Sequence, residues 1–179
     1  MKLELPIHDL AARHYGLTRP IADSYTEAAR VCFDRHHHSP IDIEIKRSEQ
    51  AIQAYAKWQS PDERMRRAWA HEIDTTEAGA YACTLAAVEL SCGLVAVHRA
   101  ETKTGADYYV APAGPPPDDL ENCVRLEISG LDRASSTAVV QRLKEKLKQA
   151  AAGSSNLPAM AGVVGFRARL ILVAPVGEK

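Results

Sequence analysis

Between Thr76 and Gly93 the chain carries TEAGAYACTLAAVELSCG, a helical run built largely from small residues: Ala78, Gly79, Ala80, Ala82, Ala86 and Ala87. So slim a helix can lie close against a sheet, and Gly93 supplies the left-handed stop that ends it. The period then changes from that of a helix to two. Leu94–Glu101 alternates through Val95 and Val97, Lys103-Thr104-Gly105 forms a turn, and Asp107–Pro112 follows as a second strand close enough for a hairpin. A proline- and aspartate-rich loop, AGPPPDD, leads to a third strand over Cys123–Ser129, closed by Gly130. Ser135 or Ser136 caps an amphipathic helix reaching about Ala151, with Val139, Val140, Leu143 and Leu147 as its buried stripe. After the loop Gly153–Pro158, AGVVGFRARLILVAP reads as one long strand or two short ones. Residues 74–179 therefore read helix, three strands, helix, strand, which places the chain in the α/β class.

Residues 1–73 read as a mainly helical N-terminal extension packed on that core. The first 19 residues form an arm without clear periodicity, and Pro20 opens a helix running to about His36. IDIEIK alternates, so Ile41, Ile43 and Ile45 line one face of a short strand, with a short helix as the alternative. Residues 48–58 read as helix, with Ile52, Tyr55 and Trp58 on one side, and Ser60-Pro61-Asp62-Glu63 starts another. The expected fold is one compact domain: a mixed sheet of about four or five strands with helices on its faces.

With 46% hydrophobic and 25% charged residues the chain belongs to the ordinary globular class, and a net charge of −1 excludes a wholesale polycation. No apolar run approaches the roughly 20 residues of a membrane span. The start, MKLELPIHDLAARHYG, lacks the apolar stretch of a secretory signal, so the cytosol is the expected location. Cys32, Cys83, Cys92 and Cys123 form no C-x-x-C pair and read as reduced thiols that mostly fill core.

Three acids fall where chemistry is possible. Glu77 lies in the first turns of the small-residue helix, Asp107 opens the second strand, and Glu127 sits inside the third. Alternation puts Arg125, Glu127 and Ser129 on one face and turns Leu126 and Ile128 to the other. Converging carboxylates repel, and a divalent cation relieves that repulsion while activating water for phosphodiester attack. Each acid also has a plainer reading. Asp107 can be a turn residue, Glu127 can pair with Lys144 or Lys148, and Glu77 is favoured by the helix dipole alone. His36-His37-His38 makes a poor zinc site, because adjacent helical residues point in different directions. Trp58, Trp69, Tyr108 and Tyr109 read as packing groups.

The order of elements with Asp107, then Glu127-Ile128-Ser129, resembles the PD-(D/E)XK (restriction-endonuclease-like) nuclease superfamily, over a little more than half the chain. That family's core runs helix, three strands, helix, strand, with an acid on the second strand, E-x-K on the third and often a Glu on the first helix. The resemblance implies that Asp107 and Glu127 hold Mg²⁺ or Mn²⁺, with the main-chain carbonyl of Ile128 as a further ligand and Glu77 as an auxiliary acid. Ser129 stands where the family has lysine. Lys144 or Lys148 on the following helix, or Lys103, would then supply the missing positive charge. The segments TGADYYV, RLEISGL and RLKEKLKQ also look like uncharacterised bacterial proteins of this type. Two functions follow as expectations: a metal-dependent hydrolase cutting or binding DNA, or a catalytically inactive domain of the same fold that binds a protein partner or dimerises.

Overall fold

The computed structural model describes residues 2–177. One mixed sheet of eight strands runs through the molecule: β1 (Leu3–Glu4), β2 (Ile41–Arg47), β3 (Gln50–Ala56), β4 (Leu94–Arg99), β5 (Tyr108–Pro112), β6 (Val124–Leu131), β7 (Ala159–Gly165) and β8 (Leu170–Pro175). Their spatial order is β1-β3-β2-β8-β7-β6-β5-β4. The four helices are α1 (Arg19–Asp34), α2 (Glu63–Ala68), α3 (Glu72–Cys92) and α4 (Ser136–Ala151). An α/β protein with a mixed sheet is thus what the sequence led to expect, with more strands than the four or five anticipated.

The C-terminal part follows the sequence closely. Gly93 adopts φ 66° and stops α3, and the Ser135 hydroxyl accepts the Ala138 N–H to start α4. β4, β5 and β6 form an antiparallel meander, α4 crosses over, and β7 returns parallel to β6. AGVVGFRARLILVAP is two strands, with β8 antiparallel to β7. β7 is buried at every residue because helices cover both faces of the sheet there. On one side α3 and α1 pack over Ile43, Ile45, Leu126, Ile128, Val164 and Ile171. On the other, Val139 of α4 meets Val163, Leu170 and Leu172. Alternation along β7 and β8 divides these residues between the two cores.

The N-terminal part departs from its reading. Residues 50–56 are strand, not helix: Ile45 pairs with Ile52, Ile43 with Ala54, and Ile41 with Ala56. The Gln/Ala composition favours helix locally, but the hairpin adds two strands to the sheet, and β2 runs parallel to β8. Ser48, at φ 49°, makes the turn. The first residues are not a loose arm. β1 pairs with β3, and Leu5, Ile7, Leu10 and Leu17 are buried in the main core. Residues 14–16 close the free edge of β4: Gly16 N–H donates to the Ala96 carbonyl at 2.9 Å, and Ala96 N–H to His14 Nδ1 at 2.9 Å. A Cβ on Gly16 would run into the main chain of Val97 and His98, so only glycine lets the segment lie this close.

Asp62, rather than Ser60, caps α2 by accepting the Met65 N–H at 2.7 Å, and α3 begins at Glu72, earlier than Thr75. All four cysteines are free thiols, and burial pushes that of Cys32 up to about 12. No helix among the described residues is long and apolar enough to cross a membrane.

Candidate functional site

Two of the three acids, Glu77 and Asp107, meet at the Tyr81 hydroxyl where the N-terminal half of α3 crosses β5 and β6, while Glu127 on β6 turns to Lys146 of α4. The crossing is close because Gly130 faces α3: a Cβ there would stand 2.6 Å from the Thr76 carbonyl oxygen and 2.8 Å from Ala80 Cβ. Glu77 lies one residue beyond Thr76. Tyr108 pairs with Leu126 at the start of the β5–β6 ladder, and the Asp107 N–H just before it donates to the Leu126 carbonyl at 2.8 Å.

Asp107 is held from three sides. Its Oδ2 accepts the Ile128 N–H at 2.7 Å, its Oδ1 accepts the Tyr81 hydroxyl at 2.9 Å, and Arg99 Nη2 lies 3.6 Å from Oδ1. Burial raises its carboxyl above the usual range, and the charge of Glu127 raises it further. The Ile128 N–H, the Tyr81 hydroxyl and Arg99 act in the opposite direction. Glu77 Oε1 lies 3.2 Å from the same Tyr81 hydroxyl, one helical turn along α3. Glu127 Oε1 accepts from Lys146 Nζ of α4 at 2.7 Å, and both side chains are largely buried, 13% and 18% exposed.

Arg99 of β4 completes the cluster. Its guanidinium lies 4.8 Å from the ring centre of Tyr81 and 4.7 Å from that of Tyr108, and Nη2 donates to the Tyr81 hydroxyl at 3.2 Å. The Tyr25 and Tyr108 hydroxyls meet at 2.9 Å behind it. Beside Glu77 opens a groove of about 450 Å³, lined also by Ile73, Ser129, Gly130, Arg142 and Lys146 among others.

The structure thus joins Asp107 and Glu77 through Tyr81 and leaves Glu127, nearby on β6, paired with Lys146. Ser129 lines the groove but does not touch the acids' hydrogen-bond network. The cation beside Glu127 is Lys146, not Lys144 or Lys148, which are exposed, and Lys103 lies exposed in its turn. Lys146 follows Val139 by seven residues and Leu143 by three, so it lies on the buried stripe of α4. That spacing by itself does not single Lys146 out among the other charges of the helix. Tyr81 sits four residues after Glu77, but nothing in the sequence joins Arg99 to either. The histidine run serves the fold: His36 Nε2 meets Asp132 Oδ1 at 2.9 Å and His37 Nε2 meets the Phe166 carbonyl at 3.0 Å.

Among the described residues no three His, Cys, Asp or Glu side chains are grouped so as to hold a metal ion. That argues against a zinc-type cage, which needs such a set. Magnesium is different: it commonly takes one or two carboxylates and keeps several waters. Asp107 and Glu127 provide two carboxylates. An extended residue sends its N–H and C=O to the same strand edge. The Ile128 N–H reaches Asp107, so its carbonyl lies on that side too. The donors are all hard oxygens, which suit Mg²⁺ or Mn²⁺.

The fold and this cluster define an α/β protein with an acidic, partly buried site at the meeting of α3, β5 and β6, bordered by Arg99 and Lys146. No protein-family model matches the chain, and no curated protein or solved structure matches it either.

Proposed function

We propose that this chain is a metal-dependent nuclease-like protein of the PD-(D/E)XK type, acting on DNA phosphodiesters. The observation that carries the reading is Asp107 tied to the Ile128 N–H at 2.7 Å, next along the strand from Glu127, which meets a lysine ammonium at 2.7 Å. The order α3, β4, β5, β6, α4, β7, with antiparallel pairing through β6 and a parallel return, supports the same core.

In this reading Asp107 and Glu127, with the Ile128 carbonyl, would hold Mg²⁺ or Mn²⁺, which when bound would supply a Lewis acid for the phosphate and a more acidic water. Lys146 takes the place of the lysine absent at Ser129. Its ammonium, reaching in from α4, orients an incoming water or phosphate oxygen beside Glu127. Arg142, four residues earlier on α4 and lining the groove, offers a second cation to the phosphate backbone. Arg99 offsets the charge of Asp107 and keeps its carboxylate aimed.

The experiment is titration calorimetry with Mn²⁺ on the wild type, Asp107→Ala and Glu127→Ala, together with plasmid cleavage by the wild type and Lys146→Met. Saturable heat lost in both carboxylate variants, with cleavage lost in Lys146→Met, is the expected result. Equal heats in all three proteins would end the metal reading.

One observation favours a second reading, a catalytically inactive domain of the same fold that binds a protein or dimerises. Glu127 already has its own countercharge in Lys146, and Ile73 on α3 and Val140 on α4 are 73% and 42% exposed. In that case Mn²⁺ produces no heat, DNA is not cut, and Ile73→Ser changes sedimentation of the chain.

A further inference from the structure

Tyr81 hydrogen-bonds both Glu77 and Asp107, and its surroundings fix it tightly. The ring lies 4.9 Å from Tyr25 and 5.9 Å from Tyr108, and Arg99 stacks over it at 4.8 Å. The hydroxyl accepts from Arg99 Nη2 at 3.2 Å, and the same Nη2 lies 3.6 Å from Asp107 Oδ1, so guanidinium, phenol and carboxylate form one closed triangle. A phenol has a single proton to give. It faces Asp107 Oδ1 at 2.9 Å and Glu77 Oε1 at 3.2 Å, and the shorter contact goes to Asp107.

Asp107 has two oxygens, each already aimed by a donor: Oδ2 by the Ile128 N–H, Oδ1 by Tyr81. Each oxygen keeps a second lone pair. Donors that leave a lone pair open while fixing the plane of a carboxylate are what hold metal ligands in place elsewhere, and their loss weakens ion binding without touching the ligands themselves.

We infer that Tyr81 is the positioning residue of the cation site: its hydroxyl aims the Asp107 carboxylate and ties Glu77 to the same point. The inference rests on the metal reading proposed above. Tyr81 is not a ligand and contacts no reacting atom; it acts through Asp107. The hydroxyl, not the ring, carries the role, because the ring's stacking partners remain when the oxygen is removed.

Tyr81→Phe deletes that oxygen and keeps the stack. Tyr25→Phe is its control, since it removes a neighbouring phenol bonded to Tyr108 and not to any acid. Free Mn²⁺ is counted by electron paramagnetic resonance as the ion alone is titrated into the full chain, with circular dichroism to follow folding. The expected result is affinity about tenfold or more weaker in Tyr81→Phe, and unchanged in Tyr25→Phe. Unchanged affinity in Tyr81→Phe overturns the inference and leaves the metal reading standing. An equal fall in both variants overturns it too, because the effect is then one of packing. A wild type that binds no Mn²⁺ overturns both.

Discussion

Asp107 carries a charge that the folded chain resists. Its folded pKa lies above that of an unfolded aspartate, so folding favours the protonated acid. The contribution to stability is therefore full at low pH and is lost as pH rises from the ordinary aspartate range through the higher folded value. Asp107→Asn should melt at a higher temperature than the wild type at neutral pH, and the two curves should converge on acidification; melting scanned from about pH 3 to pH 8 tests this. A wild type that gains stability over that window relative to the variant would contradict it. Lys146 has the opposite role. Lys146→Met leaves Glu127 partly buried without its partner, at a cost of about 1–3 kcal/mol by chemical denaturation. Lys144→Met, on the exposed face, should cost almost nothing. The two acids on the strands were legible in the sequence because charged residues in apolar strands stand out. The lysine was not, because a charge on a buried stripe looks like any other charge on an amphipathic helix until the strand acid beneath it is known.

Among the elements, the approach of α3 to β6 decides whether the acids meet at all. Gly130→Ala forces a methyl against the Thr76 carbonyl and Ala80, and should cost about 1–3 kcal/mol while pushing the start of α3 outward. Because Glu77 follows Thr76, the same variant should weaken Mn²⁺ binding even under conditions where the chain is folded. Arg125 secures the opposite side of β6. Its buried guanidinium donates to the carbonyls of Thr104 at 2.9 Å, Ala150 at 3.2 Å and Leu157 at 3.2 Å, tying the β4–β5 turn and the end of α4 to the strand. The helix–strand succession from Glu72 onward was readable because each period persists, Gly93 marks the end of α3 and Ser135 the start of α4. β3 was not, because its seven residues favour helix by composition and become strand only through pairing with β2.

At the scale of the whole molecule, the two ends of the sequence depend on each other. Leu5, Ile7, Leu10 and Leu17 lie in the same core as Leu126 and Ile171. Each contributes about 1.5–3 kcal/mol by burial, which together rivals the roughly 5–15 kcal/mol that holds a domain folded. A chain beginning at Thr18 should therefore fail to fold, seen as loss of cooperative melting and rapid digestion by trypsin. The single sheet, with strands from both halves, makes the first 73 residues part of the scaffold. The sequence-level boundary near residue 73 marks a change in pattern and not a seam in the fold. The cover over β4 has a consequence beyond stability. An outer strand with bare amides is a template on which another chain can crystallise its own backbone. By spending the His14 imidazole and the Gly16 amide on Ala96, the protein withholds that template. His14→Ala uncovers one amide at the rim, and the first symptom should be slow, concentration-dependent growth of thioflavin-positive fibrils from protein that still gives a native spectrum.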